Sequence, residues 1–150
     1  MRKALLVLGM VALTLGMNAQ SLRVNETDEF TGSVKRFTNF YKLAKTEVGT
    51  LSSSVMRIDN YTFLQVSSSF DLGCSGAVGN KIIFLFSDGT NLELEDLADV
   101  NCKDSASSLF NITDLDFSNL TKVRFKQSEY YTDGVVYGSF TLQQQINVTK

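Results

Sequence analysis

Residues 81–95, Lys-Ile-Ile-Phe-Leu-Phe-Ser-Asp-Gly-Thr-Asn-Leu-Glu-Leu-Glu, hold two strand-forming runs and the turn between them. Ile82 to Phe86 is a continuous β-branched, aliphatic and aromatic run. It is too short to span a bilayer and ends at Ser87-Asp88-Gly89, so it reads as a strand buried on both faces. Leu92-Glu93-Leu94-Glu95 alternates strictly. A two-residue turn at Asp88-Gly89 would pair Leu85 with Leu92 and Ile83 with Leu94. A three-residue loop with Gly89 in the left-handed region would pair Phe84 with Leu92 and Ile82 with Leu94. These registers present opposite faces. The longer loop is preferred because it sets Lys81 opposite Glu95, a pairing worth roughly 0.2–1 kcal/mol.

Turn residues punctuate the rest of the chain at short intervals, and no long amphipathic helix is evident. Residues 29–38 read as a strand interrupted at Gly32, and residues 39–48 as a short helix or irregular crossing. Residues 53–59 and 61–69 read as strands meeting at Asp59-Asn60. Leu109–Ile112 and Val123–Lys126 are further short strands. Tyr130–Val136 repeats the turn chemistry of the central hairpin at Asp133-Gly134, and Tyr137–Val148 continues as strand with Phe140, Leu142, Ile146 and Val148 inward. Thr113, followed by Asp114 and Asp116, suits the start of a one- or two-turn helix over 113–120. The expected fold is all-β, an antiparallel sandwich or open barrel of roughly eight strands with one short helix; α+β is the alternative.

Residues 1–19 have the parts of a signal peptide: Arg2 and Lys3, the apolar run Ala4–Leu15, and Met17-Asn18-Ala19 before a cut at Gln20. The apolar run is shorter than the ~20 residues of a spanning helix. No Cys stands at the cut, so a lipid-anchored start is not indicated. Export leaves residues 20–150 as one β-rich domain of 131 residues, with 12 basic and 16 acidic side chains and a net charge of −4. That is enough chain for its own core. An acidic domain without a Lys/Arg cluster is a poor partner for nucleic acid, and no membrane span is expected after cleavage.

Cys74 and Cys102 are the only cysteines. In an oxidising compartment an even pair is most simply one disulfide, which would enclose the central hairpin and contribute about 3–3.5 kcal/mol on the chain-entropy model. Two buried free thiols remain the alternative, since spacing alone does not bring Cα atoms within reach.

The chain contains no His, which removes His-based triads and metal sites. Gly73-x-x-Gly-x-x-Gly79 lacks the Lys-Ser/Thr ending of a phosphate loop. Glu93 and Glu95 stand about 7 Å apart on one strand face, within the range for an inverting glycosidase, but alternating glutamates on a half-buried strand read as a solvated face. Asp96, Asp99, Asn101 and Asp104 offer oxygen ligands without the EF-hand spacing. No catalytic residue, metal site or cofactor is therefore expected. Tyr130, Tyr131 and Tyr137 form a candidate contact surface, as do loops 71–80 and 96–107, because tyrosine supplies contact area plus a hydroxyl. Asn25, Asn60, Asn111, Asn119 and Asn147 each open an Asn-x-Thr triplet, and Asp104-Ser-Ala106 is similar to a bacterial O-glycosylation acceptor.

The signal ending Asn18-Ala-Gln20, the run Asp28-Glu-Phe-Thr-Gly32 and Lys81-Ile-x-Phe-Leu-Phe-x-Asp-Gly-Thr90 resemble small exported β-rich proteins of the Bacteroidota type, a group without an assigned activity. The resemblance implies export and a β-rich fold and supplies no functional residues. The expected function is a non-enzymatic binding or structural module, periplasmic or secreted, with a protein or glycan partner. A carboxylate-dependent glycan or envelope hydrolase is the alternative. Intact mass spectrometry of exported protein should give a chain starting at Gln20 and lighter by two hydrogens; a mass without that loss rules out the disulfide.

Overall fold

The computed structural model describes residues 22–150 except Leu72, Asp104, Ser128, Ser139 and Phe140. Residues 1–19, expected as a signal peptide, and Phe140 thus lie outside the described residues. The strands are β1 (Leu22–Thr27), β2 (Val34–Thr38), β3 (Tyr41–Thr46), β4 (Thr50–Ile58), β5 (Tyr61–Ser68), β6 (Lys81–Phe86), β7 (Asn91–Glu95), β8 (Ser108–Asn111), β9 (Leu120–Gln127) and β10 (Tyr130–Val136). One helix, α1 (Leu142–Thr149), follows. The fold is all-β and antiparallel with one short helix, as expected, though with ten strands.

The sheet runs β1-β2-β4-β3-β10-β9-β6-β7, and β4 also carries β5 and then β8 on its other edge. β4 is the branch point. Its first half pairs with β3, its last three residues with β2, and its whole length from Leu51 with β5. The sheet curls until the chain after β7 meets β8, where the Leu97 N–H donates to the Leu109 carbonyl at 2.7 Å. The result is a barrel closed by a seam rather than by a full ladder. Leu43, Leu51, Leu64, Ile82, Phe84, Phe110, Val123 and Phe125 fill it in one continuous core. Edge-on ring contacts, Phe84 with Phe117 and Phe110 with Phe125, brace its centre.

The central hairpin adopts the three-residue loop, with Gly89 at φ 85° and the pairs Ile82–Leu94 and Phe84–Leu92. Only one face of β6 is buried, however. Ile82 and Phe84 point inward, while Ile83 and Leu85 are half-exposed because no second layer covers the outside of the barrel. Lys81 stands opposite Glu95 but bonds diagonally to Glu93 at 2.7 Å.

Several local expectations give way to tertiary or side-chain demands. Residues 28–33 form the β1–β2 turn instead of a strand, since the Asp28 carboxylate accepts the Phe30 and Thr31 N–H groups at 2.8 Å. Residues 41–46 are β3, whose irregularity between Lys42 and Ala44 buries Leu43 and Ala44 side by side. The helix expected at 113–120 is absent. Asp114 has φ 60°, and Asn111 and Asp116 accept backbone N–H groups two residues on, which offers the chain turns in place of helix.

Asp133-Gly134 lies inside β10, not at a turn; a Cβ on Gly134 would sit 2.8 Å from that of Ala44, so the glycine serves close strand packing. The chain reverses instead between the paired residues Gln127 and Tyr130. Residues 142–149, expected as strand, form α1. Thr141 and Gln144 make a reciprocal capping box, and Leu142, Gln145, Ile146 and Thr149 bury one helical face against β4 and β2.

Five aspartates fasten turns or strands. Hydrogen bonds from the Thr31 N–H, the Val34 N–H, the Thr90 hydroxyl and the Ser118 hydroxyl hold Asp28, Asp59, Asp88 and Asp116 below the ordinary value of 3.8, and the Arg124 guanidinium does the same for Asp133. A carboxylate with a depressed folded pKa stabilises the fold above its unfolded value. That stability is lost as pH falls through the folded value. Urea midpoints should therefore hold steady at neutral pH and decline below about 3.8, and Asp88→Asn should shrink the decline; an unchanged midpoint in acid would contradict this.

Candidate functional site

One end of the barrel is rigidly stapled. Cys74 and Cys102 are joined, and Ser75 and Asn101 beside them exchange backbone hydrogen bonds of 2.9 and 3.0 Å. The Asn80 side chain, buried, donates to the Cys74 carbonyl at 2.7 Å. Asp96 links the pieces. Its carboxylate accepts the N–H groups of Gly76, Ala98 and Leu109 at 2.8, 3.0 and 2.9 Å, tying the cysteine loop, the chain after β7 and the start of β8 to one side chain. Gly76, at φ 70°, fits only as glycine, because a Cβ would lie 2.2 Å from the Ala98 carbonyl oxygen.

The outer face of β3, β10, β9, β6 and β7 carries a groove. Strand pairing arranges its side chains in three rows that cross the strands. The row nearest the staple is Tyr131, Lys126, Lys81, Glu95; the middle row is Asp133, Arg124, Ile83, Glu93; the third is Lys45, Val135, Lys122, Leu85, Asn91. A groove of about 750 Å³ lies over the second and third rows, with Ile83, Leu85 and Val135 as its aliphatic floor. Val135 is 62% exposed.

Most polar groups of the first two rows are engaged with one another. Arg124 makes a bidentate pair with Asp133 at 2.6 and 2.8 Å, which raises the guanidinium above its ordinary pKa. Glu93 likewise raises the Lys81 ammonium. Lys126 lies 5.4 Å over the Tyr131 ring. In the third row Lys45 and Lys122 flank Val135; Lys122 adds to the field that lowers the Asp133 pKa, but neither lysine makes an ion pair or ring contact among the described residues.

The tyrosines expected to share a surface do not all meet. Tyr130 and Tyr131 are exposed beside the stapled end, and Gly79 of the cysteine loop approaches Lys126. Tyr137 lies six residues on, at the other end of β10, under the Lys42 ammonium. Loops 71–80 and 96–107 become one stapled lobe and expose Val78, Leu97 and Val100.

Among the acidic candidates, Glu93 is held by Lys81 and Asp96 by backbone, while Asn101 accepts the Lys103 N–H; Asp104 lies outside the described residues. No group of three His, Cys, Asp or Glu among the described residues is placed to hold a metal. All five Asn-x-Thr asparagines are exposed, but Thr149 of the last triplet is buried with its hydroxyl on the Ile146 carbonyl. Lys45, Lys122 and Val135 were not singled out from sequence. The Lys122-Val-Arg-Phe-Lys126 alternation signals a cationic outer column on β9, whereas the neighbourhood of Lys45 depends on pairing between distant strands.

Comparison with protein-family models, with curated proteins and with solved structures finds no match. No helix among the described residues is long and apolar enough to cross a membrane. The disulfide is consistent with an oxidising compartment.

Proposed function

We propose that residues 1–19 direct export and that the remainder is a non-enzymatic binding or structural module of the cell envelope or secreted fraction. Its contact surface is the outer face of β3, β10, β9, β6 and β7. The observation that carries this reading is the groove itself: an exposed aliphatic floor on the sheet, bordered by cations. Exposed apolar area rimmed by polar groups marks interaction sites. The staple supports it by fixing the loops that border one side of that face, so binding there carries little ordering cost.

Two carboxylates of this face, Asp133 and Glu93, serve structure. Asp133 holds Arg124 and Glu93 holds Lys81, so neither is poised as a lone acid or base. The test uses purified mature protein, envelope material from the native host and a panel of polysaccharides. Retention on envelope material, reduced at least severalfold by Val135→Asp in a variant with unchanged circular dichroism, is the expected result. Release of sugars that Glu93→Gln or Glu95→Gln abolishes would replace the binding reading with a hydrolase.

A further inference from the structure

Resting on that reading of the outer face, we infer that its third row seats an acidic peptide segment of a partner protein, with carboxylates at Lys45 and Lys122 and aliphatic side chains on Val135 and Leu85. The row alternates in character from strand to strand: cation, aliphatic, cation, aliphatic, amide, in the order Lys45, Val135, Lys122, Leu85, Asn91. A ligand complementary to it alternates too, with negative charge where the row is positive and apolar groups between.

Spacing narrows the ligand further. Lys45 and Lys122 lie two strands apart, so their backbones are about 9.6 Å from each other. In an extended polyproline II segment, residues three apart project from the same side at about 9.3 Å. An acidic residue at every third position with Val or Leu between them therefore matches both cations at once.

The chemistry of the floor favours peptide over glycan. Ile83, Leu85 and Val135 are aliphatic, and no aromatic ring lines the groove to stack on a sugar. Two anions also line it: Asp133, whose carboxylate is held by both arms of Arg124 and also feels Lys122, and Glu47, just past the end of β3, which makes no ion pair among the described residues. The three rows hold five of the 12 cations of residues 20–150 against three of the 16 anions, with Glu47 a fourth at the groove, in a chain of net charge −4, so this face is more positive than the molecule at large and favours an acidic partner.

The test is a titration of isotopically labelled mature protein, followed by amide chemical shifts, with a short synthetic peptide carrying Glu at every third position and Leu or Val between. The same peptide with Lys for Glu and a polygalacturonate oligomer are the comparison probes. Saturable shifts centred on Lys45, Val135, Lys122 and Leu85 are expected with the Glu peptide and absent with the Lys peptide. The double variant Lys45→Glu, Lys122→Glu, its fold checked by the same spectra, should bind at least about tenfold more weakly, the size of losing one charge-assisted contact.

Equal binding of the Lys peptide, unchanged affinity in the double variant, or binding of the oligogalacturonate alone would overturn the peptide assignment. If that happens while Val135→Asp still abolishes envelope retention, the surface is right and its ligand class wrong. If retention survives Val135→Asp, the surface itself is wrong.

Discussion

The barrel depends on the carboxylate of Asp96. Most neighbouring strands here are joined by ladders of backbone bonds, but β7 and β8 are not. Between them stand one backbone bond, from Leu97 to Leu109, and the three N–H groups that Asp96 gathers. A single charged acceptor thus does what a ladder does elsewhere, and it does so for three segments at once. Hydrogen bonds to a charged group are worth about 1.5–3 kcal/mol each, and a buried donor left without its partner costs a further 1–3 kcal/mol. The disulfide works on the same place from the covalent side, closing the 28-residue separation between Cys74 and Cys102 around the central hairpin.

That closure shapes the proposed contact face. β6 pairs with β7 on one side and with β9 on the other, so the outer rows keep their order only while the ends of the hairpin are held. Asn80 and Asp96 sit immediately before β6 and after β7 and bond to each other through backbone, at 3.0 Å. The hairpin is therefore gripped at its open end by the staple and at its closed end by Asp88, whose carboxylate accepts from both the N–H and the hydroxyl of Thr90. On the face between, like charges such as Lys81 and Lys126 stand directly opposite each other, an unfavourable pairing. Glu93 and the Tyr131 ring offset it, one on each cation.

The hairpin register was legible as one of two, chosen because it sets Lys81 opposite Glu95; that facing is observed, although the lysine bonds to Glu93. The Asp59-Asn60 turn and the cysteine pair were legible for similar local reasons. Less legible was anything that depended on a partner far along the chain. Gly134 looks like a turn residue until Ala44 is placed against it, and Asp133 does so until Arg124 is seen opposite. The helix at 142–149 was marked by Thr141-x-x-Gln144 and by apolar residues four apart, Leu142 and Ile146, but polar Gln145 and Thr149 on the same face disguised its period. Gln145 is fully buried, with its amide N–H donating to Ser53 of β4 at 2.8 Å across 92 residues and its carbonyl oxygen left without a partner among the described residues. The candidate groove was hidden for the same reason: Lys45 and Lys122 become neighbours only through Val135.

The most direct test is amide hydrogen exchange on the native protein and on Asp96→Ala, with the disulfide intact in both. Slow exchange is expected at Gly76, Ala98 and Leu109 in the native chain. In the variant all three should lose protection together, global stability should fall by on the order of 3–5 kcal/mol, and amides of the β9–β10 ladder should exchange no faster than that fall dictates. Protection at Leu109 and Gly76 that survives the substitution would show that the seam is held by something other than Asp96.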